Sequence, residues 1–229
     1  MAQIIANTTD GYQATGLTGT WDGTHDKTTS LQSLDINNTA DTSFGWRAAY
    51  SAPRSAYYIV RNFFDWDVSG ISGTVSAASV NIKTYLNRGA AAIVLQSGHD
   101  PSDTSTNWFT TWLTGLGGTI SGWTSSSTGV TAFSAAVLPA ANGSFSTFTL
   151  NSAGLSHLNS VAGTSNLFKI VVLDADFDYA DTAPTGADVH GLYWADHGTS
   201  GNRPYLDYTV GGFTGDINGI DSGDIAKIN

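Results

Sequence analysis

Nineteen aspartates and not one glutamate make up the acidic side of this chain, against four lysines and five arginines. Glu and Lys are the residues that clothe exposed helix faces, whereas Asp, Asn, Thr and Gly favour turns, caps and strands. A chain without Glu has little helix surface to cover, so the expected fold is all-β with one or two short helices. Charged residues are 12% of the sequence against 41% hydrophobic, which leaves Ser, Thr, Asn and Gly to keep the surface wet. The length of 229 residues suits one sandwich domain with a full hydrophobic core.

The same composition excludes several functions. A formal net charge of −10 with no Lys/Arg cluster repels phosphate backbones, so nucleic acid is not an expected partner. No stretch approaches the ~18 apolar residues of a spanning helix, so membrane insertion is not expected either. Zero cysteines remove disulfides, thiolate nucleophiles and Cys-ligated metal. The opening Met1-Ala-Gln-Ile-Ile-Ala-Asn lacks the basic start and long apolar run of a secretory signal. Work outside a cell is then expected to follow another exit, such as lytic release within a virus particle, rather than secretion.

Along the chain, residues 2–6 read as an edge strand, and short strands are expected within 7–55, where Tyr12, Trp21, Phe44 and Trp46 interrupt a Thr/Gly/Asn/Asp-rich stretch. Tyr57 to Trp66 is dense in β-branched and aromatic residues and predicts a strand. Ala77 to Tyr85 alternates with period two, placing Ala78, Val80, Ile82 and Thr84 on a buried face and Ser79, Asn81, Lys83 and Tyr85 on a wet one. The apolar run Ala90 to Gln96 is expected to pair with it through a hairpin at Asn87-Arg-Gly89. Trp108, Phe109, Trp112 and Leu113 make one face of a short helix, and Asn151 to Leu158 reads as a capped helical turn. Ser144–Leu150, Leu167–Leu173, Val189–Trp194 and Arg203–Val210 complete at least seven strands without βαβ alternation, which predicts an antiparallel β-sandwich.

Several pieces in this order resemble the DNRLRE-like group of jelly-roll domains. They are Asp10-Gly-Tyr, the aromatic run from Tyr57 to Asp67, "VSAASVNIKTY" at 75–85, "FTLNSAGLSHLNS" at 148–160, "FKIVVLDADFD" at 168–178 and "NRPYLDYTV" at 202–210. The resemblance implies a jelly-roll-like body over 1–210 and a role in attachment, decoration or sugar-facing surfaces, as in tailed-phage virion proteins and surface adhesins. It brings no catalytic motif. Residues 211–229 then form a Gly-Gly hinge and a tail whose "ING" and "DIAKIN" stretches resemble the ends of phage structural proteins and half a dockerin repeat. Counted from Asp216, a calcium loop would have Asn218 third but Ile220 fifth and Lys227 twelfth, which argues against it. The tail is instead expected to dock through Ile217, Ile220, Ile225 and Ile228, on the sandwich or on a neighbouring subunit.

No cofactor is expected, except that Asp174, Asp176, Asp178 and Asp181 are candidate calcium ligands. Alternation puts the first three carboxylates on one side, and Ca²⁺ takes several oxygens; a solvated acidic edge is the simpler reading. Five scattered histidines lack zinc spacing, and Glu, the usual glycosidase acid, is absent. Asp65 and Asp67 flank Trp66 as a conceivable acid pair, more simply a strand end. Trp21, Trp123 and Trp194 lie in or beside polar segments and are the candidate sugar-stacking rings, although tryptophan is more often core. The expected function is a non-enzymatic virion structural protein, a head-decoration, fibre or tail-tip component. Its expected partners are other virion proteins, copies of itself or cell-surface glycans. The alternative is a carbohydrate-binding module or adhesin domain of a secreted or surface protein.

Overall fold

The computed structural model describes residues 1–29, 35–36, 45–103, 108–186 and 189–211. Phe44 and the proposed docking residues Ile217, Ile220, Ile225 and Ile228 lie outside the described residues.

The first sheet is formed by β1 (Ala2–Ile5), β6 (Val75–Arg88), β8 (Phe145–Thr149), β10 (Val189–Leu192) and β11 (Tyr205–Val210). Its order is β1-β11-β6-β10, with β8 also on β6. The second contains β2 (Gly11–Ala14), β3 (Asp35–Ile36), β4 (Arg47–Ser51), β5 (Ala56–Asp67), β7 (Ala92–Gln96) and β9 (Leu167–Asp174). Its order is β3-β2-β5-β9-β7, with β4 pairing along the first half of β5. Every strand pair among the described residues is antiparallel. The helices are α1 (Asp22–His25), α2 (Trp108–Thr114) and α3 (Ser152–Val161), with single 3₁₀ turns at Ala52–Arg54 and Ser200–Asn202. Two antiparallel sheets and a few short helices make a β-sandwich, as the Glu-free composition predicts.

The main core lies between the sheets. Val80, Ile82, Phe148 and Leu206 of the first sheet meet Phe64, Trp66, Val94, Ile170 and Val172 of the second. The alternate residues of the second sheet are buried too. Phe63, Ile93, Leu95, Val171 and Leu173 face outward, under Trp108, Trp112 and Leu113 of α2 and Ile120 and Trp123 of the loop that follows. Burial on both faces explains why β7 reads as a continuous apolar run and why β5 and β9 do not alternate cleanly.

That double burial also corrects the expected hairpin. β7 pairs with β9 in the second sheet, not with β6. Beside β6, Ile93 and Leu95 would have faced solvent next to Lys83 and Tyr85; in the second sheet both side chains are covered. Gly89, at φ 117°, sits in the connection between the two sheets.

Asn151 caps the start of α3 as foreseen, its side-chain oxygen accepting from the Gly154 amide at 3.0 Å, while Leu158 and Val161 reach the main core. The β6 alternation also holds: Ala78, Val80, Ile82 and Thr84 are buried. Asn81 departs from the wet face it was assigned. It is 3% exposed, because its amide donates to Ser79 and its oxygen accepts from the Thr147 hydroxyl.

Candidate functional site

The aspartates proposed as calcium ligands do not converge on one point. The Asp178 carboxylate is held by Arg61, whose Nε and Nη2 donate to its two oxygens at 2.9 and 2.8 Å, both side chains being fully buried. Asp176 accepts from the Ala91 amide, Asp181 from the Trp21 indole at 2.9 Å, and Asp174 from the amides of Asp176 and Phe177. Each carboxylate therefore caps a different donor, and among the described residues no group of three acidic or histidine side chains is placed to hold a metal ion. A single-turn bend after β9 splays the side chains that strict alternation would have aligned.

Around Arg61 the segment becomes a lock. Its Nη1 and Nη2 also donate to the carbonyls of Phe109 and His25, and its guanidinium lies 3.9 Å from the Phe109 ring centroid. His25 stacks on Trp123 at 4.6 Å and bonds Asp26 at 2.8 Å. The lock ties α1, β5, α2 and the turn after β9 together beneath the outer surface of the second sheet.

The three tryptophans singled out for sugar stacking are spent in the same way. Trp21 is 8% exposed, Trp123 1% and Trp194 0%, the last stacked on Phe64 at 5.3 Å. None presents an open ring face, and stacking on a sugar needs one. Asp65, the other conceivable acid, is buried and accepts from Asn7 and Thr9. Burial raises its pKa against those hydrogen bonds, whereas Asp67 is exposed and lowered by Ser69.

Half-buried aromatics occur at β4 and β5, where Tyr50 meets Tyr57 at 5.0 Å, and as a longer row on the outer face of the first sheet. Register sets the pattern: Lys83 stands opposite Phe145, Asn81 opposite Thr147 and Tyr205, and Ser79 opposite Thr149 and Asp207. These pairs share a face because cross-strand partners point the same way. Tyr193 follows β10, its amide donating to the Lys83 carbonyl at 3.1 Å. The result is two half-buried aromatic pairs. Tyr85 and Tyr193 meet edge-on at 5.7 Å, and Phe145 and Tyr205 at 4.9 Å.

The Lys83 ammonium lies between the pairs, 5.3 Å from the Phe145 centroid and 5.9 Å from that of Tyr193, and donates to the Asn202 side chain at 2.8 Å. His197 extends the row, edge-on to Tyr193 at 5.0 Å, and the Arg203 guanidinium donates to its carbonyl at 2.8 Å. Burial, and then the Asp207 carboxylate, raise the Tyr205 pKa, so its hydroxyl stays a donor. The 3₁₀ turn at Ser200–Asn202 reaches the edge of this face through the Asn202 side chain.

Gly191 gives the row its shape. A Cβ there would fall 2.2 Å from Cζ of Tyr85, so the tyrosine ring lies where any other residue would put its side chain. Since the obstructed atoms are the far end of a ring, Gly191→Ala is expected to push Tyr85 out of the row while the fold survives. Denaturant unfolding should shift by no more than about 1 kcal/mol, and the near-ultraviolet tyrosine circular dichroism should change.

A concave surface lies near the start of β9, lined by Gln96, His157, Asn166 and Lys169. Its ammonium donates to the His99 carbonyl at 2.7 Å and is faced by Asp100 and Asp65, so that charge is answered from within the chain.

None of the outer-face residues was chosen from sequence as a site. The signal was nonetheless present: the period-two reading of 77–85 already put Lys83 and Tyr85 on the solvent side. Extending it to Phe145-Ser-Thr-Phe-Thr149 and Tyr205-Leu-Asp-Tyr-Thr209 assembles much of the face.

Fold and site together define an antiparallel two-sheet β-sandwich, roofed on one side and presenting an aromatic, polar surface on the other. No known family model matches the chain, and no curated protein matches it.

Proposed function

We propose that the chain is a non-enzymatic, jelly-roll-like attachment module that grips glycans with the outer face of its first sheet, carried on the outside of a phage particle. The observation that carries the reading is the asymmetry of the sandwich. Over β7, β9 and the second half of β5 the second sheet is covered on both sides, whereas the first leaves Tyr85, Tyr193, Phe145 and Tyr205 half exposed beside Lys83, Asn202 and Thr147. Aromatic rings stack on the apolar faces of sugars, and amide, hydroxyl and ammonium groups bond their hydroxyls. The phage setting draws on the resemblance of the segments between Asp10 and Val210 to jelly-roll virion domains.

The double variant Tyr85→Ala with Tyr193→Ala tests the reading. On a glycan array and on whole bacterial cells, the unaltered protein is expected to bind a discrete set of glycans and the variant to lose them. Loss of two stacking rings is worth about a hundredfold in affinity at about 1.4 kcal/mol each. A protein that binds no glycan, or a variant that binds as well, overturns it.

A further inference from the structure

We infer that the glycan gripped by this face is acidic, with a carboxylate seated between Lys83 and Arg203. The inference rests on the glycan-binding reading and adds the charge of the ligand to it.

Lys83 stands midway along the aromatic row, pinned by the Asn202 oxygen and flanked by the rings of Phe145 and Tyr193. Arg203 reaches the same end of the row through the His197 carbonyl, next to the ring that meets Tyr193. Neither cation has a carboxylate within 4.0 Å among the described residues. In a chain with 19 acidic and 9 basic residues, two cations with no described carboxylate in contact, beside one half-buried aromatic pair, are a local reversal of sign. Asp207 on this face stands opposite Ser79, two steps along β6 from Asn81 and on the side away from Lys83 and Tyr85, and half-buried Asp196 lies in the turn beside His197.

The chemistry follows from that layout. A half-buried ammonium held by one amide oxygen retains donors for an anionic oxygen, and a guanidinium bonded through Nε retains its terminal nitrogens for one. Sugar rings on Tyr85 and Tyr193 would bring a ring carboxylate, such as that of a uronic or sialic acid, toward both cations. Neutral hydroxyls would leave the two charges unanswered.

Titration calorimetry with polygalacturonate, alginate, hyaluronan and polysialic acid, each paired with its carboxyl-reduced neutral form, tests the inference. At least one acidic polymer is expected to bind, with its reduced form about tenfold weaker. Lys83→Gln is expected to weaken the acidic polymer to the level of the neutral one, and Lys83→Arg to retain binding. Arg203→Gln should lower affinity in the same direction, and thermal unfolding of each variant separates lost binding from lost folding. Equal affinity for acidic and neutral forms, or unchanged binding by folded Lys83→Gln, overturns the acidic assignment and leaves the glycan reading standing. Binding to no polymer in either form overturns both.

Discussion

Asp178→Ala should cost the folded state about 3–5 kcal/mol, because it strands the Arg61 guanidinium in a site with no access to water. Both side chains are fully buried, and their two hydrogen bonds at 2.9 and 2.8 Å are the charge-compensating part of the lock. The bonds from Arg61 to the carbonyls of Phe109 and His25 cannot replace a counter-charge. The loss should appear as a lower denaturant midpoint with an unchanged slope. The paired variant Arg61→Met with Asp178→Leu removes both charges and is expected to recover most of the stability, as apolar replacements of buried ion pairs do. A single variant losing under about 1 kcal/mol would show that water reaches the pair, contrary to its burial.

The second large effect is a pH dependence centred on Asp174. Burial first, then the carboxylates of Asp178 and Asp176, push its pKa up from 3.8 to about 7, against the amides of Phe177 and Asp176. Between those two values the folded chain holds a proton that the unfolded chain has released, so this group's contribution to stability is present at about pH 4 and is lost as pH rises toward 7. The full shift corresponds to about 4 kcal/mol at 1.36 kcal/mol per unit. His99 and His190 work in the opposite sense. Burial, joined in His99 by Lys169, lowers them from 6.5 to about 3 and about 4. They stay neutral in the fold while the unfolded chain takes up protons, so their contribution is lost as pH falls below 6.5.

Opposed slopes predict a shallow pH profile for the unaltered protein. In Asp174→Asn part of one side of the balance is gone, with the raised carboxyls of Asp10 and Asp65 left in place, and stability should fall further from pH 6.5 toward 4 than in the unaltered protein. The variant should gain on the unaltered protein steadily from pH 4 to 7. Equilibrium unfolding across that range is the measurement, and a difference that does not change with pH would contradict a raised Asp174.

How far the sequence carries an observer depended on how many faces each strand buries. β6 buries one, so its alternation named the core residues Val80 and Ile82 and the solvent residues Lys83 and Tyr85 correctly. β7 buries two, and its unbroken apolar run hides which sheet it joins; period alone cannot assign Ile93 and Leu95 a partner. The helix at Trp108 and the Asn151 cap were legible because their signals are local. Arg61 was not, because one arginine in an apolar strand declares nothing until Asp178, 117 positions later, arrives beside it. The tryptophans misled for a related reason. Rings set in polar loops looked exposed, yet Trp21 and Trp123 are buried by the lock those loops build over the second sheet.

The antiparallel ladder between β6 and β11 also fixes how the molecule would carry a load. Val210 pairs with Val75, at the far end of β6 from Tyr85. A tether at Val210 and a ligand held at Tyr85 would pull along the strand axis from opposite ends, so the rungs between them are strained together. Pulling between Ala2 and Val210 is different, because Ala2 pairs with Tyr208 and the two points leave from one end. There the rungs open singly, as a zipper does. The same sheet is therefore stiff toward a tug on its outer face and yielding toward a tug on its edge strand.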